Sequence, residues 1–413
     1  MDTAPLSSLS DESVRQRGFY VPQFELRVSG VGLPRDVLRD VTRVSYHDNI
    51  KAIDGFEVTV NNWDAGTRAF KYVGAETAAD LNGSSARSEQ NRLFDPCNKA
   101  VELWMGYAGD LRLMLTGSFT TMEPSFSAAA PTLTVRGLNA LHQLRRKQYS
   151  DHWTDKSDSE IAQIIASKVD NTLGQNKKRF PMPITIDPHA RETPLPYVAQ
   201  KNQYDIDFLM ERALRLGYVI YMREGDPRAK DAAARVRNLY FGPSNGTGPG
   251  ARGVTFELKW GASLTDFKPT LTTARQVRSV TVNGWDRSRK KPISKKVSID
   301  DPGIKINQDL YQLIGVCDPR DELVVDKPVF SEAHATQIAQ GILNDRVKEI
   351  VKASGTCVGL PDLRAGRRIV IQGLGERFSG TYFVTETTHT IDDSGYLTHF
   401  NVRRESPSLE GLE

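Results

Sequence analysis

Residues 197–218 read Tyr-Val-Ala-Gln-Lys-Asn-Gln-Tyr-Asp-Ile-Asp-Phe-Leu-Met-Glu-Arg-Ala-Leu-Arg-Leu-Gly-Tyr. Ile206, Leu209, Met210, Ala213 and Leu216 recur every three or four residues, which places them on one face of a helix. Asn202-Gln203-Tyr204-Asp205 is a capping-type start, with Asp205 as the expected cap. Gly217 is the expected stop, since glycine takes the left-handed conformation that ends helices without a steric penalty. Asp205 and Asp207 together resemble an acid pair, but carboxylates in a first turn complement the helix dipole, and that reading is preferred. Tyr204 and Phe208 are expected to anchor the helix against a β domain.

Upstream of this helix, Pro181, Pro183, Pro188, Pro194 and Pro196 predict an extended connector. Before it, Ser157 and Glu160 have capping-box spacing, and Ile161, Ile164, Ile165 and Val169 continue at helical intervals. Residues 138–144 read as a short helix, so 138–217 form a mostly helical insert. Further upstream the period changes from helical to alternating. Phe24, Leu26 and Val28 alternate with polar residues, as do Phe56, Val58 and Val60, then Val101, Leu103 and Met105, then Leu111, Leu113 and Leu115. Short alternating strands over residues 20–137 predict a closed or sandwiched β domain. Residues 1–19 read as a loose, flexible arm.

Downstream, residues 218–275 predict a hairpin and connector, with 239–241 and 254–260 pairing around a Gly-rich segment. Residues 276–405 predict a second β region that contains one helix. Ser331 caps that helix, and Ala335, Ile338, Ile342 and Leu343 face inward. Trp285 and Tyr396 are expected to close this region. Residues 406–413 form a tail. The fold class is thus mixed, mainly β with an α insert, and the two β regions are of similar size.

Bulk properties narrow the function. With 54 basic against 51 acidic side chains the net charge is +3, too balanced for a nucleic-acid coat, so no specific nucleic-acid binding is expected. The basic runs at 287–291 and 295–296 read as solvated loop. Cys97, Cys317 and Cys357 are widely spaced and odd in number, which predicts neither a disulfide framework nor a metal pair and fits a reducing cytoplasm. No apolar run approaches the ~20 residues of a membrane span, and residues 1–17 are polar, so neither anchor nor secretory signal is expected.

No motif for chemistry survives its context. Gly248, Gly250 and Gly253 match Gly-x-Gly-x-x-Gly, yet they precede a strand, whereas dinucleotide binding needs a following helix to meet the pyrophosphate. The histidines, His47, His142, His152, His189, His334, His389 and His399, lack metal-ligand spacing. His389 and His399 flank a turn at Gly395-Tyr396 and are candidates to approach across a hairpin, although polar strand positions explain them. Asn82-Gly83-Ser84 and Asn245-Gly246-Thr247 match the glycosylation sequon in letters only. No catalytic, cofactor-binding or metal-binding residue is predicted.

The segment from Tyr197 through Leu209, continued by Arg212, Leu216, Gly217 and Tyr218, resembles the QxNxSDxDFLxRLAxxxGY signature of phage late control protein D and of the hub part of VgrG-type spike proteins. Other pieces agree in order. Leu133-Thr134-Val135-Arg136-Gly137 is similar to the strand leaving the family's first barrel. Trp153-Thr154-Asp155 through Ile165 is similar to its FTDxSDSxIxxxIA helix, and residues 280–286 to its VxVxGWD strand. Residues 380–400 resemble its closing GxYxVxxxxHxxxxxGYxTxF.

The resemblance implies a baseplate hub: two tail-tube-like β-barrels joined by a helical insert, three copies forming a ring that adapts a six-fold tail tube to a three-fold spike. It implies a homotrimer with tail tube protein, a separate spike protein and other baseplate proteins as partners. The location would be a virion or injection-particle baseplate, assembled in the bacterial cytoplasm. VgrG-type proteins continue into a spike, whereas this chain ends soon after its last strand, so a separate spike and no lytic activity are expected. The residues carrying the structural motif are Asn202, Tyr204, Asp205, Asp207, Phe208, Leu209, Gly217, Trp285 and Tyr396. The competing readings are a cell-wall hydrolase or a peptidoglycan-binding module of the same particle.

Overall fold

The computed structural model describes residues 6–8, 21–82, 84–96, 99–180, 182–187, 192–225, 232, 235–244, 255–287, 289–301, 304 and 320–404. The fold is mainly β with a smaller helical component. Its first β region is an antiparallel run in the order Val41–Asn49, Gly55–Asn61, Thr132–Asn139, Asp110–Ser125, Val101–Tyr107 and Pro22–Val28. The sequence alternation has the expected cause. Phe56, Val58 and Val60 point into one core with Leu26, Val44, Val101, Leu103, Leu115 and Val135.

The second β region runs Leu264–Leu271, Val351–Val358, Gly395–Arg404, Gly380–Asp392, Arg368–Gln372 and Thr255–Lys259. The last two strands are parallel, so the expected pairing of 254–260 with 239–241 does not occur. Asn238–Pro243 instead pairs with Tyr218–Arg223 and Ile184–Ile186. Leu6–Ser8 adds in parallel to the outer edge of Thr255–Lys259, so this part of the expected loose arm is a strand. Helix Glu332–Lys348 starts on a Ser331 side-chain cap and covers a small sheet of Lys291–Ser298, Ser279–Asp286 and Asp321–Val324. Val280, Val282, Ile293, Ala335, Ile338 and Leu343 form the core between them.

The insert differs from its expected, mostly helical form. It holds helices Asp158–Ser167 and Asp205–Leu216, but also the antiparallel pair Tyr149–Trp153 and Val198–Gln203 and the strand Ile184–Ile186. Tyr149–Trp153 and Val198–Gln203 are short and largely polar, and Ile184–Ile186 has three residues, so none offers an alternating run long enough to read. Tyr218–Arg223 and Asn238–Pro243, expected in a separate connector, bury Ile220, Met222, Leu239 and Phe241 in the insert's own core.

The two β regions are not separate sheets. Gly380–Asp392 pairs antiparallel with Val41–Asn49, with Glu386 opposite Asn49 and Ile391 opposite Val44. One 14-stranded sheet therefore passes through both regions, while each keeps its own hydrophobic core.

Candidate functional site

Two buried polar nodes and one uncovered sheet face contain the structure's specific polar geometry. The first node lies in the segment that opens the sequence reading. Helix Asp205–Leu216 begins after Tyr204, which makes no side-chain cap. Asp205 is the first helical residue rather than the cap, because its carboxylate is engaged elsewhere. It accepts from Arg179 Nε at 2.6 Å, from Arg179 Nη2, and from Gln200 Nε2 at 2.9 Å. Arg179 also pairs with Asp151 and lies 3.5 Å above the Tyr149 ring. Asp205 and Arg179 are 1% and 2% exposed, so the pair is desolvated on both sides. A second buried pair ties the insert helices together: Arg212 Nε donates to Asp158 Oδ1 at 2.5 Å. Burial raises the Asp158 pKa against the opposing pull of Arg212.

Other motif residues take structural places. Asp207 faces outward and pairs with Arg145 at 2.8 Å, so the two first-turn acids have separate partners and form no acid pair. Phe208 is buried and stacks on Trp153 at 5.5 Å, and Leu209 is fully buried. Both belong to the insert core, so Phe208 packs within the insert rather than against a barrel core, and Tyr204 is half-buried. Asn202 is exposed with φ 49° and donates its backbone N–H to Ser150 Oγ. Gly217 ends the helix at φ 66°, where a Cβ would lie 3.1 Å from the Gly341 carbonyl of helix Glu332–Lys348. The expected capping box of Ser157 and Glu160 is present.

The second node locks the two β regions together. Arg364 Nε donates to Asp48 Oδ2 at 2.7 Å, and its Nη2 donates to the Met114 carbonyl at 2.8 Å and to the Tyr46 oxygen. The guanidinium also lies 4.3 Å from the Tyr46 ring centroid. Asp48 further accepts from the Ala365 backbone at 3.2 Å and from Thr387 Oγ1. Burial opposes the Arg364 charge, but Tyr46 and Asp48 beside it hold its pKa above the ordinary value. Nearby Asp54 is raised well above the ordinary carboxylate range, first by burial and then by Asp48.

Trp285 and Tyr396 do not close the second region as expected. Trp285 is 54% exposed on the hairpin, because its side chain faces away from helix Glu332–Lys348. Tyr396 is buried, but in the core of the first region, 5.6 Å from Tyr107. His389 and His399 do not approach each other. His389 is fully buried, bonded to Tyr396, Thr398 and the Leu363 carbonyl, and burial lowers its pKa to about 3. His399 points to the opposite, exposed face and bonds Thr356. The Gly248, Gly250 and Gly253 motif, Cys97 and Cys317 lie outside the described residues. Cys357 is buried, which pushes its thiol pKa up.

The sheet face opposite the two cores is polar. In one cross-strand row stand His47, Thr388, His399, Thr356 and Asp266, each in register with the next. His47 bonds Thr388 at 2.9 Å and His399 bonds Thr356 at 2.8 Å. The next row holds Asn49, Glu386, Asn401, Ser354 and Lys268. The face therefore crosses from one β region to the other without a break.

A family model described as the Alg8 N-terminal domain matches residues 247–393, less than half of the chain. Over 385 residues the chain is 22% identical to a "Probable baseplate hub protein" of Escherichia phage 186, covering 86% of this chain and 94% of the relative. Among solved structures it is similar to the 43 kDa tail protein of prophage MuSo2 from Shewanella oneidensis, with TM-score 0.60, 14% identity, and coverage of 93% of this chain and 98% of that one. The chain resembles the baseplate hub family. The hub-like fold extends to a component of the E. coli type VI secretion system, with TM-score 0.53 and 12% identity, over 93% of this chain and 77% of that chain. Its solved structure is described as similar to T4 bacteriophage tail proteins. Arg364, Asp48, Arg179 and Arg212 carry the buried ion pairs, and of these only Arg212 lies in the family-like segment, while no sequence signal marks the other three. An arginine destined for burial has the same local pattern as a surface one.

Proposed function

We propose that the chain is a non-enzymatic hub subunit that forms a homotrimeric ring in the baseplate of a phage or related injection particle. The ring adapts a six-fold tail tube on one side to a separate three-fold spike on the other. Assembly takes place in the bacterial cytoplasm, with tube, spike and other baseplate proteins as partners. The ladder between Val41–Asn49 and Gly380–Asp392 carries this reading. It binds two β regions of one chain into a single sheet with one uncovered polar face. Three such chains present six β regions around an axis, and the row of His47, Thr388, His399 and Thr356 then faces the channel. Rings of this kind rest on large obligate interfaces, typically above ~2,000 Å².

The deciding measurement is the mass of the purified protein in solution over a dilution series. The expected result is a trimer near three times 46.0 kDa. A monomer that stays monomeric when mixed with its spike and tube proteins overturns the ring. Saturable dye release from purified cell wall would replace the structural role with a hydrolase.

A further inference from the structure

The inner strands of the two β regions repeat each other. In the first region, Thr120 is an extra residue where Asp110–Ser125 pairs with Thr132–Asn139, and its Oγ1 donates to the Arg136 carbonyl at 3.4 Å. In the second, Thr385 is the extra residue where Gly380–Asp392 pairs with Gly395–Arg404, and its Oγ1 donates to the Asn401 carbonyl at 3.0 Å. Another bulge is repeated in the same way. Thr42 donates to the Thr59 carbonyl at 3.2 Å, and Thr265 to the Thr356 carbonyl at 2.8 Å. Bulges pin strand register. These threonines therefore align Asp110–Ser125 with Gly380–Asp392, and Leu264–Leu271 with Val41–Asn49, residue by residue.

The repeats differ in what meets their edges. Within the chain Thr387, His389 and Ile391 pair with Asp48, Tyr46 and Val44. The aligned residues are Met122, Pro124 and Phe126 in the first repeat, and Leu271, Pro269 and Phe267 in the second. Among the described residues no strand pairs with either of these edges. The ladder from Val101–Tyr107 onto Asp110–Ser125 stops at Gly117, and Leu264–Leu271 pairs only with Val351–Val358. Two open edges thus carry apolar residues at matched positions. Ile391 packs against the core of the first region, whereas its equivalent, Phe126, is 57% exposed. Phe267 and Leu271 border the core of the second region, where an incoming Phe126 would find the same setting.

We propose that a second copy of the chain fills these edges, with residues 121–126 of one copy antiparallel to residues 267–272 of the next. Phe126 then lies against Phe267, and Met122 against Leu271. This rests on the ring reading: every chain carries one edge of each kind, so the contact repeats head to tail and can close. The seam between copies differs from the one within the chain. Pro124 faces Pro269, and that pair exchanges no backbone hydrogen bonds. Apolar contact stands where the inner seam has the Arg364–Asp48 ion pair. Prolines on open edges also turn away ordinary strands, which protects the unassembled chain from mispairing.

Disulfide trapping in the full chain, with Cys97 and Cys317 replaced by serine, tests it. The register puts Ser125 directly opposite Lys268, where antiparallel Cα atoms stand about 4.5–5.5 Å apart, within disulfide reach. S125C/K268C should oxidise to covalent dimers and a closed covalent trimer, about five-fold faster than S125C/T270C, which is two residues out of register. F126D should raise the concentration at which the trimer dissociates at least about ten-fold, with the circular dichroism spectrum unchanged. A trimer that forms no S125C/K268C disulfide, or that F126D leaves as tight as wild type, overturns the seam and leaves the ring standing. Equal trapping of both cysteine pairs overturns the register. A disulfide ladder running past three copies supports the seam and overturns the ring. A chain that stays monomeric with its spike and tube proteins ends both.

Discussion

Arg364 and Asp48 stand 316 positions apart in sequence and form one buried ion pair, Nε to Oδ2 at 2.7 Å, across the junction of the two β regions. Each is also held by the backbone of its partner's region: Arg364 by the Met114 carbonyl, Asp48 by the Ala365 N–H. The pair therefore sets the register of one region against the other, beside the strand ladder that joins them.

Arg364→Ala should cost about 3–5 kcal/mol, because it strands the Asp48 carboxylate in a desolvated site. Urea unfolding of the single variants and of the Arg364→Met, Asp48→Leu double variant checks this. The double variant should recover part of the loss, since it leaves neither charge unpaired. Equal losses in both would show that the hydrogen bonds to Tyr46 and Met114, not the charge pair, dominate.

Phe208 and Trp285 should behave oppositely. Phe208→Ala removes a ring stacked on Trp153 in the insert core and should cost ~3–5 kcal/mol. Trp285→Ala touches an exposed side chain and should stay within about 0.5 kcal/mol. Thermal unfolding separates the two. A large loss at Trp285 would mean that it packs against another subunit under the conditions used.

Gly217→Ala should destabilise by roughly 1–3 kcal/mol. The residue sits at φ 66°, where a side chain is strained, and the new Cβ would press on the Gly341 carbonyl. An unchanged melting temperature would show that helix Glu332–Lys348 yields at no cost.

His389 should make stability depend on pH. Its folded pKa is depressed to about 3, below the ordinary 6.5, so the unfolded chain binds the proton more readily between those values. Its contribution is complete above pH 6.5 and is lost as pH falls toward 3. At pH 5 the loss is at most about 2 kcal/mol, taking 1.36 kcal/mol per pH unit. His334, lowered to about 4 by burial, acts in the same direction, while raised acids such as Asp54 act in the opposite one. The difference between wild type and His389→Gln isolates the histidine. The variant's urea midpoint should depend less on pH between 7 and 5 than that of wild type, and parallel curves would place the proton elsewhere.

Much of the secondary structure was legible in the chain itself. Alternating runs such as Phe56, Val58 and Val60 became strands because one face of each strand meets a core. Helix Asp205–Leu216, its glycine stop and the Ser157 and Ser331 caps followed from local backbone chemistry, which operates within a few residues. The order of the family-like pieces was local information as well, and the comparisons support the resemblance drawn from it.

Tertiary structure alone decided the rest. Asp205 meets the first-turn rule for a carboxylate, yet Arg179, 26 residues away, claims it. Tyr396 stands among residues of the second region but packs with Tyr107 of the first. Strand Thr255–Lys259 bypassed its neighbour in sequence for Arg368–Gln372, and Gly380–Asp392 bypassed region boundaries for Val41–Asn49. Side-chain alternation tells which face of a strand is buried but carries nothing about which edge it pairs with. Pairing depends on backbone groups common to all residues, so it is settled only when the cores assemble and each edge finds the partner that leaves the fewest polar groups unsatisfied.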